Sequence, residues 1–382
     1  MYKPIEHSKL VLCENIYGPS IAKRAQDLDS SYAWFNLAED GFIELTLDNH
    51  MMQSFRGCEA YFVESFLGRH GSSSPVWFLH LGTAVHKMME IYYTYRKHPM
   101  FSLDRWILGC GKKIWYALNM DQFSKVPEYE VLGGLVGFGG LLIQYATYYN
   151  HDNERFRVVG TELYFGKGRE VPLFNGSDWS SLSPYPFRLY LAGKIDLLVD
   201  DGESICPIDH KTSKNFMGKN PQLNYEINDG LTGYVYAARK LVQQFNLLSP
   251  EQKLNRKPSN KIWMNYLQIA LPPKDKTNAD RFKRMPLYKT DQQLEDYRLR
   301  QIQTGRTILN LLLNPEILPS YNTMMCSNWM HRDCPFKQVH RLDTTSAGII
   351  LNSAFVRHEW KPEEPTETDR LIGDIYDIFE SN

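Results

Sequence analysis

The stretch that most restricts the fold is "FRLYLAGKIDLLVDDGESICPIDHKTSK", residues 187–214. Two runs of β-type residues flank Asp200-Asp201-Gly202, a turn sequence, so the spacing predicts a hairpin. Side chains alternate along a strand, which puts Asp209 and Lys211 on one face of the second strand. Asp196 sits on the first strand near the same turn. Two hard carboxylates suit Mg²⁺ or Mn²⁺, and a lysine beside them can offset charge developing on an attacked phosphodiester. An isolated Asp-x-Lys is common on surface hairpins, so its meaning depends on the rest of the chain.

Upstream the pattern is helical. "LDNHMMQSFRGCEAYFVESFL" repeats Met51, Phe55, Phe62 and Phe66 at helical spacing, and "HLGTAVHKMMEIYYTYRKH" turns Val85, Met88, Met89 and Tyr92 inward. Residues 103–118 and 135–150 read as two more helices. A strand at 155–166 precedes the hairpin; a helix at 229–245, strands near 261–273 and 282–290, and a long helix at 291–313 follow it. Helices, a strand cluster, a crossover helix and further strands predict an α/β core with helical elaboration on its N-terminal side. The expected division is an N-terminal extension over 1–46, a central domain over 47–345 and a tail over 346–382.

Hydrophobic residues make up 43% of the 382 and charged residues 23%, the balance of a globular protein with a sizeable core. A formal net charge of −1 leaves nucleic acid no whole-protein attraction, so it would need a local basic surface or metal ions. No apolar run is long enough for a membrane span, and residues 1–18 lack the order of a signal peptide. Six scattered cysteines argue against a disulfide scaffold and for a reducing cytoplasm.

Three motifs in order resemble the RecB-like branch of the PD-(D/E)xK nucleases, the phage and CRISPR-associated exonuclease type. They are Gly82, His86 and Glu90 in "LGTAVHKMME", Gly193 to Asp196, and Asp209 to Thr212. The resemblance covers about residues 47–345. It implies a restriction-endonuclease-like central mixed sheet flanked by helices. It implies His86, Asp196, Asp209 and the backbone carbonyl of His210 as metal ligands, and Lys211 as the catalytic lysine. Glu90, one turn beyond His86, orients that imidazole or is a plain surface acid. Glu162, on the strand before the hairpin, is a candidate helper. The family's Gln-x-x-x-Tyr motif is met at Tyr234, but Gly230 replaces the glutamine, with Asn228 or Asp229 nearby.

Cys58 upstream with Cys326 and Cys334 downstream is similar to the iron-sulfur subgroup of that family, with His340 where a fourth cysteine is usual. The alternatives are a [4Fe-4S] cluster, a structural zinc or no metal, with the cysteines as small buried hydrophobes. Cys13, Cys110 and Cys206 match nothing. "RFKR" at 281–284 and "RLRQIQTGR" at 298–306 are either a track for a phosphate backbone or a solvated face. Trp263, Tyr288 and Tyr297 would be the accompanying stacking platforms for single-stranded bases.

The resemblance implies a metal-dependent DNA nuclease, an exonuclease on single-stranded or unwound ends that cleaves phosphodiesters with a metal-activated water. It would serve recombination, repair or phage replication, beside recombination or replication proteins. The competing expectation is a non-catalytic DNA-end-binding protein that keeps the fold; Gly230 and His340 favour it, and the retained His86, Asp196, Asp209 and Lys211 oppose it.

Overall fold

The computed structural model describes residues 34–37, 42–72, 76–166, 168–176, 187–213, 225–248, 257–269, 281–313, 317–328, 333–357 and 360. Its strands in chain order are β1 (Phe35–Leu37), β2 (Ile43–Asp48), β3 (His70–Ser72), β4 (Arg157–Phe165), β5 (Val171–Gly176), β6 (Phe187–Asp200), β7 (Ser204–Ser213), β8 (Lys257–Pro258), β9 (Lys261–Gln268), β10 (Phe282–Tyr288) and β11 (Phe355–Arg357). The main helices are α1 (Asn49–Gly57), α2 (Trp77–Tyr95), α3 (Gly134–Tyr148), α4 (Asp229–Leu248), α5 (Asp291–Leu313) and α6 (Thr344–Ala354). The architecture is mixed α/β, with helices flanking a mixed sheet, as in the restriction-endonuclease-like fold. None of the described helices is long and apolar enough to cross a membrane.

The chain forms two compact units. One takes the described residues of 1–75, 165–193 and 295–364. Here β2 runs parallel to the first half of β6, pairing Ile43 with Phe187 and Asp48 with Ala192, while β5 is antiparallel to it. β2 thus spans residue 46, where an N-terminal extension was expected to end. The helix read over 47–67 is interrupted: α1 starts only after β2, and Cys58 is extended before a short helical turn and a π turn continue to Leu67. Asp48 caps α1 by accepting from the Met51 N–H at 2.7 Å and also accepts from the Trp360 indole at 2.9 Å. Met51, Phe55, Phe62 and Phe66 are all buried, as their spacing predicts.

The other unit holds the described residues of 76–164 and 194–294. The hairpin forms as expected, with Leu197 opposite Ile208. β7 then runs parallel to β9, and β9 antiparallel to β10. The core joins α2, through Leu81, Val85, Met88, Met89 and Tyr92, to Trp106, Trp115, Phe138 and Tyr145. Cys206 and Ile208 of β7 close it from the sheet side.

Gly193 precedes the acid-bearing end of β6, and the reason for glycine is local. A Cβ there would lie 2.9 Å from Cζ of the buried Phe165 ring. Gly193→Ala should therefore cost about 1–3 kcal/mol by overpacking. Thermal melts should register the loss, and Phe165→Leu in the same chain should recover part of it. Equal melting temperatures for Gly193→Ala and the parent would exclude this account.

Candidate active site

β6 carries Asp196, β7 carries Asp209 and Lys211, α2 carries His86 and β4 carries Glu162. Nδ1 of His86 lies 3.4 Å from Oδ1 of Asp196. Oδ2 of Asp196 accepts from the backbone N–H of His210 at 2.8 Å. Among the described residues, His86, Glu162 and Asp196 each offer a ligand atom within 4.8 Å of the other two. Oδ1 of Asp209 accepts from Lys211 Nζ at 2.8 Å, whereas its Oδ2 is buried without a hydrogen-bond partner. A buried carboxylate oxygen lacking a donor is costly, and a cation is its natural complement. Asp209 stands outside that group of three, though the Asp196 and His86 charges reach it; one imidazole and three carboxylates, one of them with the orphaned oxygen, are a hard donor set that fits Mg²⁺ or Mn²⁺.

Local backbone shapes the set. Glu162 adopts a left-handed conformation, φ 45°, inside β4. A non-glycine residue pays about 1–3 kcal/mol for such a conformation, which surrounding structure must hold in place. On β7, alternation separates Asp209 and Lys211 from His210 and Thr212. α2 packs on the latter face: a Cβ on Gly82 would sit 3.6 Å from Oγ1 of Thr212, and Tyr93 stacks on the His210 ring. The Gly82-to-His86 spacing is thus the spacing that sets His86 one turn beyond a close helix–strand contact.

Burial opposes charge throughout the site, and the partners decide the outcome. For His86, burial works against protonation, but the Asp196 carboxylate beside it lifts the imidazole to about 9. Burial would raise Asp196; the His86 charge overrides it and holds the acid well below the usual carboxylate range. Asp209 moves up, through burial that Lys211 only partly offsets and through the Asp196 charge. Lys211 stays above its ordinary range despite burial, because Asp209 and Asp196 favour its ammonium form. Burial pushes Glu162 up to about 7 against the pull of Lys194, with which it is ion-paired.

His210 turns its ring away from the acids. Burial lowers it to about 3, so the ring is neutral, and its Nδ1 accepts from the Asn265 amide at 2.8 Å. That amide also donates to the Tyr145 hydroxyl at 2.7 Å, which meets the Tyr93 hydroxyl at 2.7 Å. Tyr93 donates to Asp152, and Arg284 holds both Asp152 oxygens at 2.7 and 3.0 Å. The sequence offered no sign of this network, whose members are scattered over 192 positions of chain. It also missed Tyr225, a phenol near enough to Lys211 and Asp209 to feel their charges.

Glu90 pairs with Lys87 at 2.6 Å. Tyr234 lies half-buried on α4. Asn228, weighed as a stand-in for the missing glutamine, is occupied otherwise: its Oδ1 accepts from the Leu231 N–H at 3.0 Å at the start of α4. The basic stretches are largely structural rather than a track for phosphates. Arg281 is buried and donates to the carbonyls of Gln268 and Ile269, and Arg284 belongs to the buried network. In the other unit, Arg298 pairs with Glu295 and the Leu173 carbonyl. Tyr297 is fully buried and donates to Asn49, so it is no stacking platform. Trp263 already has the Arg155 guanidinium 4.6 Å from its ring, and only Tyr288 of the three is exposed.

Cys58, Cys326, Cys334 and His340 all lie in the first unit. Cys334 donates its N–H to the Cys326 carbonyl at 3.0 Å, and both join an apolar cluster with Phe336 and Tyr61. Burial raises the Cys334 thiol, and the nearby Cys326 and Cys58 sulfurs add to it. His340 Nδ1 is buried with no hydrogen-bond partner. Among the described residues these four do not form a ligand group within 4.8 Å. Cys110 and Cys206 are buried thiols, each pushed up to about 12 by burial, and Cys13 lies outside the described residues.

A family model described as the PD-(D/E)XK nuclease superfamily matches residues 52–339, well over half of the chain. No curated protein matches it significantly.

The shifts on His86 and Glu162 make a pH prediction for the metal-free protein. Both groups have folded values above their unfolded ones, so each favours folding below its unfolded value and loses that contribution as pH rises. Stability in a chelator should fall through the window from about 4.5 to 7 for Glu162 and about 6.5 to 9 for His86. Melting temperatures across pH 5–9 would measure it, and His86→Gln should flatten the upper part. A curve rising through pH 9 would overturn the assignment.

Proposed function

The chain belongs to the PD-(D/E)XK nuclease superfamily, and on that footing we propose that it is a metal-dependent deoxyribonuclease of the RecB-like branch. The observation that carries the reading is the orphaned Asp209 Oδ2, buried beside an Asp196–His86 pair and a lysine-bearing strand. His86, Asp196, Asp209 and the His210 carbonyl would hold Mg²⁺ or Mn²⁺, with Glu162 within reach. When bound, the ion would supply an activated water and neutralise charge on the scissile phosphate.

The chain's own residues do the rest. Lys211, favoured as an ammonium by Asp209, offers a positive charge to the phosphate as negative charge builds on it. The His210 N–H fixes the Asp196 carboxylate, leaving Oδ1 toward His86. Asp209 keeps Lys211 in place through one oxygen and leaves the other for the ion. DNA is the substrate that the family implies, and single-stranded or unwound ends, attacked exonucleolytically, are the finer reading, in recombination, repair or phage replication. Tyr234 and Glu90 would assist from the helices, without the glutamine that Gly230 replaces.

Digestion of end-labelled single- and double-stranded DNA with Mn²⁺ or Mg²⁺, against a chelator control, tests this. Asp209→Asn should keep the fold and DNA binding but lose at least roughly 10²–10³-fold in rate, and Lys211→Ala a similar amount. Undiminished cleavage by both variants would place the chemistry elsewhere. DNA binding by a parent protein that never cuts would favour the end-binding reading.

A [4Fe-4S] cluster is the second cofactor of this reading, on cysteines close enough for the Cys326 and Cys58 sulfurs to act on the Cys334 thiol. Cys58, Cys326 and Cys334 with the unpartnered His340 Nδ1 would be its ligands. Anaerobically purified protein should be brown and hold iron; colourless protein with zinc or no metal would overturn it.

A further inference from the structure

Lys194 is one of the two residues of the "GKID" run that the Gly-x-x-Asp pattern leaves unspecified, and it reaches into the acid cluster. Its ammonium is ion-paired with Glu162 and stands 5.3 Å from the Tyr164 ring centroid. Glu162 is 7% exposed and the lysine 27%, so the pair sits at the edge of the site with its acid inward. The cluster therefore has two lysine–carboxylate pairs, Lys194–Glu162 and Lys211–Asp209, on either side of the Asp196–His86 pair. Asp196 and His86 belong to the ligand group that also includes Glu162. Glu162 is carried there by a left-handed residue within a strand, a conformation that costs energy and delivers an acid directly to a lysine.

Charge decides what such an arrangement can hold. Three carboxylates against two ammonium groups leave one net negative charge, with His86 neutral as a ligand must be. One divalent ion turns that into one net positive charge, which the single negative charge of a phosphodiester cancels. A second ion would leave two uncompensated positive charges in a largely buried site. With Asp209 Oδ2 given to the first ion, the acid left for a second is Glu162, whose Oε2 is engaged by Lys194. We propose that Lys194 takes the charge-balancing place of a second divalent ion, so that this centre binds one. The assignment rests on the metal-centre reading above, and makes Lys194 a positioning residue acting through Glu162.

Counting Mn²⁺ on the full chain, by electron paramagnetic resonance of the free ion and by calorimetry, tests it independently of cleavage. The parent protein should bind one Mn²⁺, lost in Asp209→Asn. Lys194→Met should bind two, or tighten a weak second site at least tenfold, while Lys194→Arg returns to one. Lys194→Met with Glu162→Gln should also bind one, since the acid that would hold the second ion is gone. Two ions on the parent protein, which requires no variant to fold, would overturn the proposal, as would a single ion on folded Lys194→Met. Either result leaves the metal centre standing. No Mn²⁺ on the parent protein would overturn the metal centre and the Lys194 assignment together.

Discussion

Three carboxylates brought together out of water repel one another, and the active-site unit is built around countering that repulsion. Glu162, Asp196 and Asp209 are each largely buried. Asp196 answers with an imidazole and a backbone N–H, Asp209 and Glu162 with a lysine each. Even so, burial still raises Glu162 and Asp209 while Asp196 is held low. Neighbouring acids with values driven apart in this way, beside a group of three possible ligands, make this cluster the candidate cation site of the described residues. A core selected for stability alone would replace them with apolar side chains.

β7 shows how one strand can serve chemistry and scaffold at once. Its alternation gives Asp209 and Lys211 to the acid cluster, and His210 and Thr212 to the face under α2. The scaffold face is itself polar, because the neutral His210 ring must have its hydrogen bond satisfied. Asn265, directly across the β7–β9 register, supplies it and passes the requirement on to Tyr145, Tyr93, Asp152 and Arg284. Burial lifts the Tyr145 phenol to about 12, so it remains a hydrogen-bond donor at neutral pH. Buried polar chains of this kind hold geometry when complete and cost stability when broken.

What was readable in the sequence was whatever depends on residue type and short spacing. The hairpin, the inward face of α2 and the segment order follow from periodicity and turn chemistry, which act over a few residues. The acids and Lys211 were found because two strands joined by a tight turn make sequence neighbours into spatial neighbours. Long-range pairing was not readable. "RFKR" looks like a basic patch until Arg281 is seen capping two carbonyls and Arg284 gripping Asp152, more than a hundred residues away. Tyr297 and Lys194 raise the same difficulty, since a tyrosine in a basic stretch and a lysine beside a glycine carry no mark of their partners. The interruption at Cys58 was hidden because apolar spacing continues across it while the backbone turns extended for one residue.

Gly230 bears on how the two halves of the site relate. The glutamine that the RecB-like resemblance implies there is absent, while His86, Asp196, Asp209 and Lys211 meet one another through contacts made by α2, β6 and β7. α4 starts instead from Asn228, which spends its side chain on the first turn and so fixes where the helix begins. Just before it, Tyr225 brings its phenol near Lys211, and its backbone carbonyl accepts from Lys289 at 3.2 Å. The entrance to α4 therefore presents a backbone anchored by Lys289 and an aromatic hydroxyl near Lys211. The acid cluster takes its own contacts from α2, β4, β6 and β7 rather than from this helix start.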